Sequence, residues 1–145
     1  MSETGKERVG QLSLTIGGER FEAHFERHIA PLTVAAFERR LPFSNSIIHV
    51  RWSGEAMWVP LGDLDFDLPP EAATSYPAPG QMLLYPGGVS ETELILAYGP
   101  SCFSSKAGQL AGNPLLRVTD RLDILADIGR EILWHGSRSI SIEGR

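Results

Sequence analysis

Apolar and polar residues alternate along much of this chain with the period of two that marks half-buried strands. Leu12, Leu14 and Ile16 alternate with polar neighbours from Gln11 to Ile16. Gly17-Gly18 supplies a two-residue hairpin turn, and Phe21, Ala23 and Phe25 then share one face of a return strand. Pro31 precedes a short segment, Thr33 to Leu41, in which Val34, Phe37 and Leu41 take helical spacing before Pro42 stops it. Two strands are predicted around Ser53-Gly54, near residues 46–52 and 55–61. Residues 62–80 are rich in Pro and Asp and read as a long excursion, a type of segment that often carries function. Gln81 to Tyr85 and Glu93 to Tyr98 are continuous apolar runs joined by Pro86-Gly87-Gly88, which predicts strands buried on both faces.

A small-residue segment, SCFSSKAGQLAGN, leads into a strand near residues 114–118. The second helix is the clearest element. Thr119 or Asp120 is placed to cap it; Leu122, Leu125, Ile128, Gly129, Ile132 and Leu133 line one side; Gly136 ends it. Gly129 costs a helix interior about 1 kcal/mol against Ala, so close packing against a sheet is the expected reason for it. A last strand runs from Ser139 to Glu143. Eight or nine strands with two helices argue against a parallel βαβ sheet. They predict a mainly β fold, a closed antiparallel β-barrel with its ends plugged by helices.

Composition narrows the class. A chain of 145 residues, 42% hydrophobic and 21% charged, suits one domain, taken as residues 10–145 with a frayed polar terminus over 1–9. The formal net charge of -5 and the lack of a Lys/Arg-rich run exclude nucleic acid as the main partner. Cys102 is the only cysteine, so no intrachain disulfide can form. No apolar run reaches membrane-spanning length, and the polar start MSETGKERVG lacks the apolar core of a signal peptide. A cytoplasmic location is the default expectation, and a homo-oligomer stays open.

The order of elements resembles that of the cyclophilin-like barrels. The runs RWSGEAMWVPLGD (51–63), YPAPGQMLLYPGG (76–88), SETELILAYG (90–99) and SSKAGQLAGN (104–113) look like those of an uncharacterised bacterial family within that fold. The resemblance covers the chain from about residue 10. It implies the fold and a ligand site on an outer face or rim, but no activity. The prolyl isomerases of the fold carry a catalytic Arg followed closely by a Phe and a Gln-Gly-Gly run. Here SGEAMWVP follows Arg51, and prolyl isomerase activity is not expected.

Candidate chemistry gathers between Ile47 and Pro60, where IIHVRWSGEAMWVP holds a His, an Arg, a Glu and two Trp. On a strand, His49 and Arg51 share a face roughly 6–7 Å apart, and Ile48, Val50 and Trp52 share the other, assigned to the core. An outward Arg51 could hold a carboxylate or phosphate in its guanidinium fork, or simply pair with a surface acid. Glu55 could accept a proton, bind a ligand amine, or pair with Arg51 across the turn. Trp58 is either a pocket wall or core packing. Lys106 suits an anion contact better than a Ser–Lys nucleophile pair, which would need a desolvated amine. His24 and His28 would stand about 13 Å apart on a strand, so no shared metal is expected. No cofactor is expected either.

Tyr76, Tyr98, Lys106 and Asn113 are expected to converge with His49, Arg51, Glu55 and Trp58 around one concavity, a rim of polar tips over an apolar floor. The leading expectation is a binding module for a small polar metabolite, with an anionic group, in a cleft beside the 49–58 hairpin and the 104–113 loop. The alternative is an enzyme of small-molecule metabolism using Glu55 or His49 for proton transfer. A weaker one is a prolyl isomerase or protein-interaction barrel. A pocket holding a strongly shifted carboxylate or imidazole would favour the enzyme.

Overall fold

Strand β1 (Gln11–Ile16) turns at Gly17-Gly18, both with positive φ, into β2 (Glu19–Phe25). Helix α1 (Pro31–Glu38) is followed by β3 (Phe43–His49), a 3-10 turn (Arg51–Ser53) and β4 (Gly54–Gly62). After the Pro-rich excursion come β5 (Gln81–Tyr85), β6 (Thr92–Ser101), a short ribbon of β7 (Ser104–Ser105) and β8 (Gly108–Gln109), and β9 (Asn113–Val118). Helix α2 (Leu122–His135) and β10 (Arg138–Gly144) complete the chain. These elements are those of a computed structural model, which describes residues 11–144; the frayed terminus expected over 1–9 lies outside the described residues.

Eight strands close into an antiparallel barrel in the order β1-β10-β3-β4-β6-β5-β9-β2. All eight send apolar side chains into one interior cluster, among them Leu14, Phe21, Ile47, Met57, Met82, Leu96, Leu116 and Ile140. Val34 and Phe37 of α1 and Leu125, Ile128 and Ile132 of α2 join it. Helix α2 lies against β3, β4 and β6. The expected mainly β barrel with two helices is the fold found. Among the described residues no helix is long and apolar enough to cross a membrane.

A second cluster sits on the outside of the barrel. Ala56, Leu83, Tyr85 and Ile95 point outward from β4, β5 and β6, and Phe103 and Leu110 cover them from the 102–112 segment. This explains why β5 and β6 are buried on both faces, as their unbroken apolar runs predict.

Three local expectations are corrected. The alternation in β3 is the reverse of that assigned. Ile47 is the fully buried interior residue, His49 lies on its side, and Trp52 is 57% exposed on the 3-10 turn. A one-residue change of phase moves every side chain to the other face, and the 3-10 turn adds residues that belong to neither strand. Thr119 and Asp120 do not cap α2. Asp120 accepts the Glu22 N–H (2.8 Å) and Thr119 Oγ1 donates to the Glu22 carbonyl, so both tie the helix entry to β2. The N-cap position falls to Arg121, with φ 51°. Helix α1 spans Pro31–Glu38, not Thr33 to Leu41.

Candidate functional site

Three segments meet over the outer cluster and enclose a cleft of about 630 Å³. The first is the 3-10 turn, fixed by its own hydrogen bonds. The Ser53 N–H donates to Val50, the Ser53 carbonyl accepts from Cys102, and the Ser53 hydroxyl accepts from the Ser104 N–H (3.0 Å). Gly54 follows with φ 112°, and a Cβ there would come within 2.7 Å of the Pro100 carbonyl oxygen, so only glycine fits. The turn projects Trp52, whose indole N–H donates to the Ser104 carbonyl (3.2 Å). Its ring meets that of Trp58 edge-on, with centroids 5.8 Å apart. Trp58 comes from β4, packs on the outer cluster, and leaves its buried indole N–H without a partner among the described residues.

The second segment is the β5–β6 connection. The Tyr85 hydroxyl accepts the N–H groups of Val89 (3.0 Å) and Ser90 (3.4 Å) and holds this turn over the cleft. Val89 is 70% exposed there. The third is the β7–β8 turn, which brings Ser104, Ser105 and Lys106 to the rim. Both serine hydroxyls donate to backbone carbonyls, of Cys102 and Gly108, and neither is paired with Lys106.

Glu93 lines the same cleft from β6. It stands opposite Pro60 of β4 and Tyr85 of β5, on the outward face with Ile95. Only 3% of the residue is exposed, and its carboxyl makes no hydrogen bond or ion pair among the described residues. Burial, reinforced by the neighbouring Glu91 charge, pushes its pKa up to about 8. At neutral pH it is a protonated acid facing two indoles.

A separate pair of polar side chains, His49 and Tyr98, lies on the inner side of the wall. His49 Nε2 and the Tyr98 hydroxyl are hydrogen-bonded at 2.7 Å, and the buried His49 Nδ1 has no partner among the described residues. Burial lowers the His49 pKa, the nearby Arg51 charge lowers it further, and Glu55 opposes them. Burial raises the Tyr98 pKa, Glu55 adds to that, and Arg130 of α2 opposes it. Glu55 lies over Gly99, in space that any side chain at 99 would fill. Arg51 and Glu55 form no ion pair; what they share is the His49 imidazole between their fields.

The eight sequence candidates therefore divide. Trp58 and Lys106 line the outer cleft. His49 and Tyr98 form the inner pair, with Arg51 on the 3-10 turn and Glu55 on β4 exposed beside it. Tyr76 is 65% exposed on the Pro-rich excursion and lines no part of the cleft. Asn113 is fully buried and wholly engaged: its amide donates to Thr33 Oγ1 and the Pro69 carbonyl, and its oxygen accepts the Glu71 N–H. The expected single concavity of eight residues does not form, because the barrel wall separates side chains of opposite parity. Trp52 and Glu93 are the residues that sequence reasoning missed. The signal for Glu93 was an acid in phase with Ile95 and Ala97, in a run otherwise read as buried on both faces.

Comparison with solved structures places the fold among known barrels. McbB, solved in complex with tryptophan, superposes with a TM-score of 0.70 at 17% identity over 93% of this chain. The chain spans 45% of that protein's length. The hypothetical protein AF2241 from Archaeoglobus fulgidus, a solution structure, superposes with a TM-score of 0.58 at 16% identity, covering 93% of this chain and 94% of that one. Likeness at this identity is likeness of fold. No curated protein sequence matches the chain. Residues 12–143 match the family described as "Protein of unknown function (DUF3830)", and the chain belongs to that family.

Proposed function

We propose that this protein is a binding module for a small polar metabolite with an apolar body, lodged in the outer cleft between Trp52 and Trp58. The observation that carries this reading is the Trp52–Trp58 pair. One indole is 57% exposed, the other ends in a buried N–H with no partner, and both border a cleft of about 630 Å³. Exposed aromatic surface is unfavourable in water unless something covers it, and a buried donor without a partner is a standing penalty that a ligand acceptor would relieve. Cleft size and apolar walls with a few polar groups match ordinary small-molecule sites. Lys106 at the rim is the cation placed to meet an anionic group. McbB, whose fold this chain shares over 45% of that protein's length, was solved in complex with tryptophan, a small molecule with an apolar body.

The test is a thermal-shift and tryptophan-fluorescence screen of metabolites against the wild type and Trp52→Ala. A ligand specific to the native state raises Tm by mass action. Trp52→Ala should remove the response at least tenfold in Kd while changing the ligand-free Tm little, since the side chain is mostly exposed. Equal responses in both proteins would refute the site.

An enzyme of small-molecule metabolism using the same cleft draws support from Glu93, an acid kept protonated near neutral pH and so suited to proton donation. It replaces Glu55 and His49 in that role, since neither lines the cleft. Turnover of a bound ligand that is lost in Glu93→Gln would favour this reading over binding alone.

A further inference from the structure

We infer that the cleft selects a ligand bearing a protonated amine, which seats against the Glu93 carboxyl with the indoles of Trp52 and Trp58 beside it. The inference rests on the proposed binding reading and names the class of ligand it takes.

Glu93 is 3% exposed, lines the cleft, and has no partner among the described residues. A carboxyl in that state lacks what its position demands, a donor or a cation. No side chain of the segments around it bonds to the carboxyl. From β4 it meets Pro60 and Trp58, neither ionisable. From β5 it meets Tyr85, whose hydroxyl accepts the N–H groups of Val89 and Ser90 and makes no bond to Glu93. The β5–β6 turn adds Glu91, a second negative charge. Lys106 borders the cleft from the β7–β8 turn and forms no ion pair with Glu93.

Two acids and two indoles are the complement of an organic cation. An ammonium is attracted to the ring faces and paired by the carboxylate at once. An anion in the same place would meet Glu91 and, once ionised, Glu93. A ligand carrying both charges could place its amine at Glu93 and its acid at Lys106, as an amino acid would. Glu93 is protonated in the empty cleft at neutral pH, since burial holds its pKa near 8. It must release that proton to solvent to pair with an ammonium. Amine binding is therefore coupled to proton release and strengthens as pH rises toward 9, where a primary amine, with a pKa near the lysine value of about 10.4, is still charged.

Three probes of one shape separate the possibilities: phenethylamine, 2-phenylethanol and 3-phenylpropionate. Binding is read by intrinsic tryptophan fluorescence and by calorimetry in two buffers of different ionisation enthalpy. Phenethylamine should bind wild type at least tenfold more tightly than either other probe at pH 8.5, with proton release at pH 7. Glu93→Gln should erase that preference and the proton release while still binding 2-phenylethanol. Lys106→Ala should keep the amine preference. If 2-phenylethanol or 3-phenylpropionate binds as well as the amine, and Glu93→Gln changes nothing, the amine inference is overturned and the cleft reading stands. If none of the three binds, both fall.

Discussion

At the scale of single residues, Glu93, His49 and Glu71 shape how this protein responds to acid and neutral pH. Glu93 has its pKa raised from 4.5 to about 8 by burial and by Glu91. The folded state therefore binds the proton more tightly than the unfolded chain, and the stability so gained is lost as pH rises from 4.5 through 8. At about 1.4 kcal/mol per pKa unit this is several kcal/mol at most. His49 and Glu71 act in the opposite direction. The His49 pKa is lowered by burial and by Arg51, so its contribution fades as pH falls below its ordinary 6.5. Burial pushes the Glu71 carboxyl up, but hydrogen bonds from Thr33 and Leu32 outweigh it and hold the pKa down, so its contribution is lost under acid. The measurable consequence concerns Glu93. The Tm of Glu93→Gln minus that of wild type should grow steadily between pH 5 and 8 in differential scanning fluorimetry. A pH-independent difference would contradict the protonated buried acid. The same carboxyl would thus weaken the empty protein at high pH and serve the proposed ligand, a trade common at binding sites.

At the scale of elements, α2 is held where it is by the absence of a side chain. A Cβ on Gly129 would enter the ring of Tyr98, so the helix can lie on β6 only with glycine there. Helix propensity alone favours alanine by about 1 kcal/mol. The clash runs against it, since extra atoms in a packed core cost about 1–3 kcal/mol. Gly129→Ala is therefore expected to lower stability by about 1–2 kcal/mol in urea unfolding, and to disturb the Tyr98–His49 hydrogen bond beneath the helix. A stabilised variant would show that the helix can move. The mid-helix glycine was visible in the sequence as a mark of close packing. Its partner was not, because Tyr98 lies 31 residues away in sequence and on another element.

At the scale of the whole molecule, the long Pro-rich excursion is tied to helix α1 by one carboxylate and to the barrel by backbone bonds at Thr74 and Ser75. Helix α1 has no capping side chain of its own at Ala30. Glu71 reaches back from the excursion to accept the N–H groups of Leu32 (3.0 Å) and Thr33 (2.8 Å) and the Thr33 hydroxyl (2.7 Å). Asn113 at the start of β9 holds the Glu71 N–H and the Pro69 carbonyl. Satisfying free helix N–H groups contributes about 1 kcal/mol. Glu71→Ala should thus lower stability by about that much, and limited proteolysis should cut residues 63–79 faster than in wild type. Unchanged cleavage would mean that Asn113 suffices.

The sequence by itself determined the strands, the two helices and the barrel, because binary patterning with periods of 2 and 3.6 is written residue by residue. The 49–58 hairpin and the 104–113 loop that it singled out both border the outer cleft, together with a β5–β6 connection that it did not single out. Only the tertiary structure decided which residues share that cleft. Parity across β3, β4 and β6 sends Trp58 and Glu93 outward and His49 and Tyr98 inward, Glu55 is left exposed at an irregularity of β4, and the 3-10 turn carries Trp52 from its expected core face to the rim. Asn113 and Glu71 likewise gained their roles from segments about 40 and 80 residues distant. A pattern read along one strand fixes which positions alternate, but the phase is set by the partners across the sheet, and the burial that keeps Glu93 protonated exists only once the segments around the outer cleft have folded against the barrel wall.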